Sequence, residues 1–99
     1  MFNFAAKISI TTMSYTAIIN DDWSDYNLRK MRTGSNIHDF YTHEGWEINY
    51  LTDKIIKYYP FQDAMAIKNA ISALTPQNMT GPHKRDVLVK DVLTELNLM

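Results

Sequence analysis

The stretch from Thr42 to Tyr59, THEGWEINYLTDKIIKYY, carries the longest helical pattern in the chain and limits what the rest can do. Ile48, Leu51, Ile55 and Tyr59 recur at spacings of three and four, which puts them on one face of an α-helix, and Trp46 and Tyr50 form a flanking stripe. Aromatics on both flanks require burial on more than one side, so other elements have to cover this helix. Thr42 suits the N-cap, and Glu44 and Glu47 favour the first turn. Pro60 stops the helix, because it lacks an N–H and its ring clashes with the turn before it.

The 99 residues give material for one hydrophobic core and not for two, so residues 1–99 are read as a single domain. A hydrophobic fraction of 45% with 21% charged residues fits an ordinary folded domain with a solvated surface. The formal net charge of −1 excludes the bulk positive field that drives non-specific nucleic-acid binding. No window approaches the run of about eighteen apolar residues that a membrane span needs. The opening MFNFAAKISITTM has neither a basic start nor an apolar run of signal-peptide length, so the expectation is a cytoplasmic protein with no membrane partner. Met13 offers an internal start. The chain has no cysteine, which excludes disulfides, thiolate metal sites and a cysteine nucleophile or persulfide carrier.

Around the central helix the other elements follow from local pattern. Residues 1–19 are rich in β-branched side chains and lack a helix period, which predicts a short N-terminal β-hairpin through Thr12 to Ser14, with strands over Lys7–Thr12 and Ser14–Ile19. Residues 20–99 read as helical. A helix capped by Asn20 or Asp21 runs to about Thr33, with acids at its start, Arg29, Lys30 and Arg32 at its end and Gly34 as the residue after it. Those three cations read either as an anion patch or, preferably, as a solvated helix end. Gln62 to Leu74 places Ala64, Ile67, Ile71 and Leu74 on one face, and Pro82 to Leu96 does the same for Leu88, Val89, Val92 and Leu96. The fold class is mainly α: a small orthogonal bundle of about four helices with that hairpin.

Candidate chemistry is sparse. His43-Glu44-Gly45-Trp46-Glu47 looks superficially like a zinc-protease motif, but Glu47 stands where the second histidine belongs. A site of His38, His43 and Glu47 is the metal candidate, and a helix start with acidic residues is the preferred reading. With three glycines and no nucleophile-elbow serine, neither an enzyme nor a cofactor is expected. The last two helices resemble a helix-turn-helix whose Lys84, Arg85 and Lys90 would face a nucleic-acid backbone or a partner. Asp86, Asp91 and Glu95 are interleaved with those cations and cancel much of their field, so nucleic acid is the weaker alternative.

The chain also resembles the DsrC/TusE family of small sulfur-relay proteins, the gamma-subunit family of dissimilatory sulfite reductase. Thr42, Glu44, Trp46 and Glu47 are similar to that family's Thr-x-Glu-x-Trp-Glu helix start, which leads into an aromatic helix ending here in Tyr58 and Tyr59. Asp22, Trp23 and Ser24 resemble its Asp-Trp-Ser, and Phe4 with Lys7 its Phe-x-x-Lys. The resemblance covers the first three quarters of the chain and implies a mostly helical fold with an N-terminal hairpin. It departs where the family does its chemistry: Leu98 stands at the penultimate position, where relay members carry a cysteine. Gly81, Pro82 and Lys84 echo the segment before the family's mobile arm, but RDVLVKDVLTEL continues as an amphipathic helix. The expected function is therefore non-catalytic: a protein that binds another protein, regulating or competing with a sulfur relay.

Overall fold

The computed structural model describes residues 14–42, 44–75 and 83–99. Among them are five helical segments: α1 over 14–19, α2 Ser24–Arg29, α3 Gly45–Tyr58, α4 Ala64–Leu74 and α5 Arg85–Glu95. A 3-10 turn, Gly34–Asn36, leads into β1, Asp39–Phe40, which pairs antiparallel with β2, His83–Lys84. The mainly helical architecture with a small two-stranded sheet is as expected, but the strands belong to other residues. Residues 14–19, expected as the second strand of an N-terminal hairpin, are helical. The first expected strand, Lys7–Thr12, and the hairpin turn at Thr12 and Met13 lie outside the described residues. Burial decides the matter at α1: Ile18 is fully buried, and Tyr15 and Ile19 pack against the core at helical spacing. That gain exceeds the modest β preference of branched residues, which depends on context.

The predicted faces of the later helices are the buried ones. Leu51 and Ile55 of α3, Ile67 and Ile71 of α4, and Leu88, Val89 and Val92 of α5 form one cluster, with α4 packed between α3 and α5. Burying a side chain of this size is worth about 1.5–3 kcal/mol, so this cluster outweighs any single polar contact. α3 ends at Tyr58 with Tyr59 as its C-cap, as Pro60 requires. At its start Glu44, not Thr42, is the N-cap residue, and Thr42 is buried. Asp63 caps α4 by accepting the Met65 N–H.

α2 is shorter than its charge pattern suggested. Asp21, expected at its cap, is drawn to α3 instead, where its carboxylate accepts from Lys54 at 2.5 Å, from Lys57 at 2.8 Å and from the Tyr58 hydroxyl. Asp22 accepts the Ser24 N–H, and the Trp23 indole N–H donates to the Ile18 carbonyl, which turns the chain from α1 into α2. The helix stops well before Gly34, at Met31, whose φ of 56° lies in the left-handed region. The Arg32 N–H donates to the Asn27 carbonyl at 2.8 Å and the Met31 N–H to that of Leu28 at 3.1 Å, the paired closure of a Schellman motif. α5 ends in the same way at Asn97, φ 58°, where asparagine is a common choice.

A side chain other than glycine or asparagine costs about 1–2 kcal/mol in that conformation. Met31→Gly is therefore expected to stabilise the fold by about 0.5–1 kcal/mol after the extra flexibility of glycine in the unfolded chain is counted. A thermal melt should show a midpoint raised by about 2–8 °C.

Candidate functional site

The residues between α2 and the start of α3 converge on a group of aromatic rings. Tyr26 is fully buried and stacks on Phe40 at 4.5 Å and 19° between planes, while Trp23 meets both rings edge-on. Tyr50 and Trp46 lean against Tyr26 at 5.4 and 5.5 Å. The Tyr26 hydroxyl accepts the Tyr41 N–H at 2.9 Å and donates to Glu47 Oε2 at 3.5 Å. Burial, more than the nearby Glu47 charge, pushes this phenol up to about 12, so it stays protonated as that donor. Glu47 itself is fully buried, and its Oε1 meets Lys30 Nζ at 3.0 Å. A residue expected as a solvated first-turn acid is thus the polar centre of the cluster.

On the outer side of these rings lies a row of cations. The Arg29 guanidinium sits 3.8 Å from the Trp46 ring centroid, Arg32 lies 4.2 Å from that of Tyr41, and Lys30 stands between them, 5.2 Å from Tyr41. The Trp46 indole N–H donates to Glu44 at 2.6 Å, which fixes the ring under Arg29. Among the described residues no carboxylate lies within 4.0 Å of Arg29 or Arg32, whereas Lys30, Lys54, Lys57 and Lys84 each have one. Leu28 and Met31, in the same short segment, are 80% and 87% exposed. The helix-end cations thus lie over aromatic rings beside two exposed apolar side chains. Sequence reasoning singled out the cations and Trp46 but not Leu28, Met31 or Tyr41. The alternation Leu28-Arg29-Lys30-Met31-Arg32, with apolar residues three apart among cations, is the local pattern that marks the segment, but it does not show which groups the cations meet.

Lys84, Arg85 and Lys90 do not gather on one face. Arg85 is only 6% exposed. Its guanidinium lies 4.2 Å from the Trp23 ring centroid and donates to the Ile37 carbonyl at 2.7 Å and to Asn27 Oδ1 at 3.4 Å. Burial lowers its pKa, and no carboxylate among the described residues pairs with it. Lys84 crosses the small sheet to Asp39 at 2.7 Å, and Lys90 is exposed on α5. A cleft of about 390 Å³ beside β2 is lined by Asn20, His38 and Asp86 together with Lys84 and Arg85. His38 is thus on the surface, Glu47 is committed to Lys30 and Tyr26, and His43 lies outside the described residues. No group of three potential metal ligands occurs among the described residues.

These features define a small helical domain with a preformed cation and aromatic face. Comparison with protein-family models, with curated proteins and with solved structures finds no match to the chain. No helix among the described residues is long and apolar enough to cross a membrane.

Proposed function

We propose that this protein acts by binding another protein and performs no chemistry of its own. The observation that carries the reading is the exposure of Leu28 and Met31 beside guanidinium groups already immobilised on Trp46 and Tyr41. Apolar side chains rimmed by arginine and aromatic residues have the composition of interface anchors. In its finer form the proposal is a cytoplasmic, thiol-free relative of the sulfur-relay scaffold that regulates or competes with a relay protein. Supporting that form, one tryptophan from each motif that resembles the family packs on the same ring: Trp23 lies 6.3 Å and Trp46 5.5 Å from Tyr26.

Two measurements test the proposal. Co-purification of the tagged full chain from its native cells is expected to bring down a stoichiometric protein partner, and recovery of the chain alone, or with nucleic acid in place of protein, overturns the reading. Incubation of the purified chain with a persulfide donor should leave its intact mass unchanged, because no thiolate is present to accept sulfur. A stable added sulfur would remove the non-catalytic reading.

A further inference from the structure

We infer that the face formed by Leu28 to Arg32, with Trp46 and Tyr41, docks an acidic segment of the partner protein that carries an apolar anchor. This rests on the reading of the chain as a protein-binding domain and specifies the partner's chemistry.

Charge pairing is the first support. Four of the described lysines are answered by the chain's own carboxylates, Lys30 by Glu47, Lys54 and Lys57 by Asp21 and Lys84 by Asp39, while Lys68 and Lys90 have no such partner among the described residues and lie over no aromatic ring there. Arg29 and Arg32 have no such answer among the described residues, although each is fixed by an aromatic ring. A guanidinium held this close over a ring, 3.8 Å for Arg29 and 4.2 Å for Arg32, has lost part of its rotational freedom. It is therefore prepared for the two-pronged contact that a carboxylate makes. Glu44, whose carboxylate accepts from the Trp46 indole on which Arg29 lies, is already engaged.

The second support is independent of charge. Met31 occupies a left-handed position that favours glycine or asparagine, and its side chain is 87% exposed. The same motif at the end of α5 uses Asn97. At Met31 the chain accepts both backbone strain and a bare thioether, and a cost of this kind is characteristic of sites that contact a partner. With Leu28 it supplies an apolar seat next to the two guanidiniums. Nucleic acid fits less well: the chain carries a net charge of −1, and cations already cover the ring faces on which bases would stack.

The test is a display library of short random peptides selected on the full chain, followed by titration of the best selected peptide. Enriched peptides should combine Asp or Glu with a neighbouring Leu, Ile, Met or Phe, and added salt should weaken them. Binding should fall by about tenfold or more in Met31→Asn and in the Arg29→Gln, Arg32→Gln double variant, the size expected of an interface anchor. It should stay within about twofold in Phe61→Ser, which alters a fully exposed ring between α3 and α4. Met31→Asn suits the left-handed backbone, so its loss of binding would not reflect unfolding. Selected peptides without acidic residues, affinity unchanged in both face variants, or no enrichment at all would each overturn the inference while leaving the wider protein-binding reading to its co-purification test. Displacement of the peptide by oligothymidine, in a manner that depends on the two arginines and not on Met31, would overturn it in favour of a nucleic-acid site.

Discussion

Replacing Glu47 by alanine is expected to destabilise the protein by about 3 kcal/mol, the lower part of the range for breaking a buried ion pair. Glu47 is fully buried 3.0 Å from Lys30, whose side chain is 19% exposed. Removing the carboxylate strands the ammonium against the Trp46 and Tyr41 rings, where only part of its hydration can return. It also takes the acceptor from the buried Tyr26 hydroxyl. In a domain of this size that is a midpoint lower by about 12–24 °C in a thermal melt. Glu47→Gln keeps the shape and an acceptor but loses the charge, and should cost about 1–2 kcal/mol. A Lys30→Met, Glu47→Leu double variant should recover most of the loss, since replacing a buried pair by apolar groups of similar volume is often close to neutral. If Glu47→Ala melted within a few degrees of the parent, the pair would not be buried in solution and the cluster would need another centre.

Asp21→Ala should be the next most damaging change, at about 2–4 kcal/mol. The Asp21 side chain is only 4% exposed and accepts from Lys54, Lys57 and the Tyr58 hydroxyl. It thereby ties the α1–α2 connection to the last turns of α3. Those three donors, Lys54 foremost, hold its carboxyl well below the usual carboxylate range. The sign for stability follows directly. The unfolded chain binds the proton more tightly at this group than the folded one does, so the contribution of Asp21 is complete at neutral pH. It is lost as pH falls below the ordinary carboxylate value of about 4 and on through the lower folded value. Urea titrations should show the parent minus Asp21→Asn difference constant from pH 8 to about 5 and shrinking below about 4. A difference that stayed flat into strong acid would mean that the carboxylate is not the species holding α3. On the alkaline side the same contact raises Lys57 and Tyr58, so both keep their protons, and hence their bonds to Asp21, further into base than free side chains would.

The helical core was readable because its signals are local. Ile67 with Ile71, and Leu88 with Val92, repeat at one-turn spacing, and an unbroken apolar face has one way to leave water. Pro60 ends α3 by its own covalent chemistry. The segment over 14–19 was misread because its β-branched residues express a strand preference in isolation, while Tyr15, Ile18 and Ile19 gain more by packing as a helix. The small sheet was missed because Phe40 and His83 are distant in the chain and each strand has only two residues, too short to show a period.

What the sequence determined by itself is the mainly helical fold class, the place where α3 stops and the lack of any thiol in these 99 residues, each a property of residues acting alone or over one turn. The tertiary structure decided the fate of the charges. Whether an ionised side chain is solvated, paired or stacked depends on groups brought near it from elsewhere. Glu47 is buried because Lys30 and Tyr26 reach it from α2, and Arg85 is turned inward by the Trp23 ring and the Ile37 carbonyl. Arg29 and Arg32 lie over Trp46 and Tyr41 with no carboxylate partner among the described residues for the same reason, and that is why the face they form could be found only once the chain was folded.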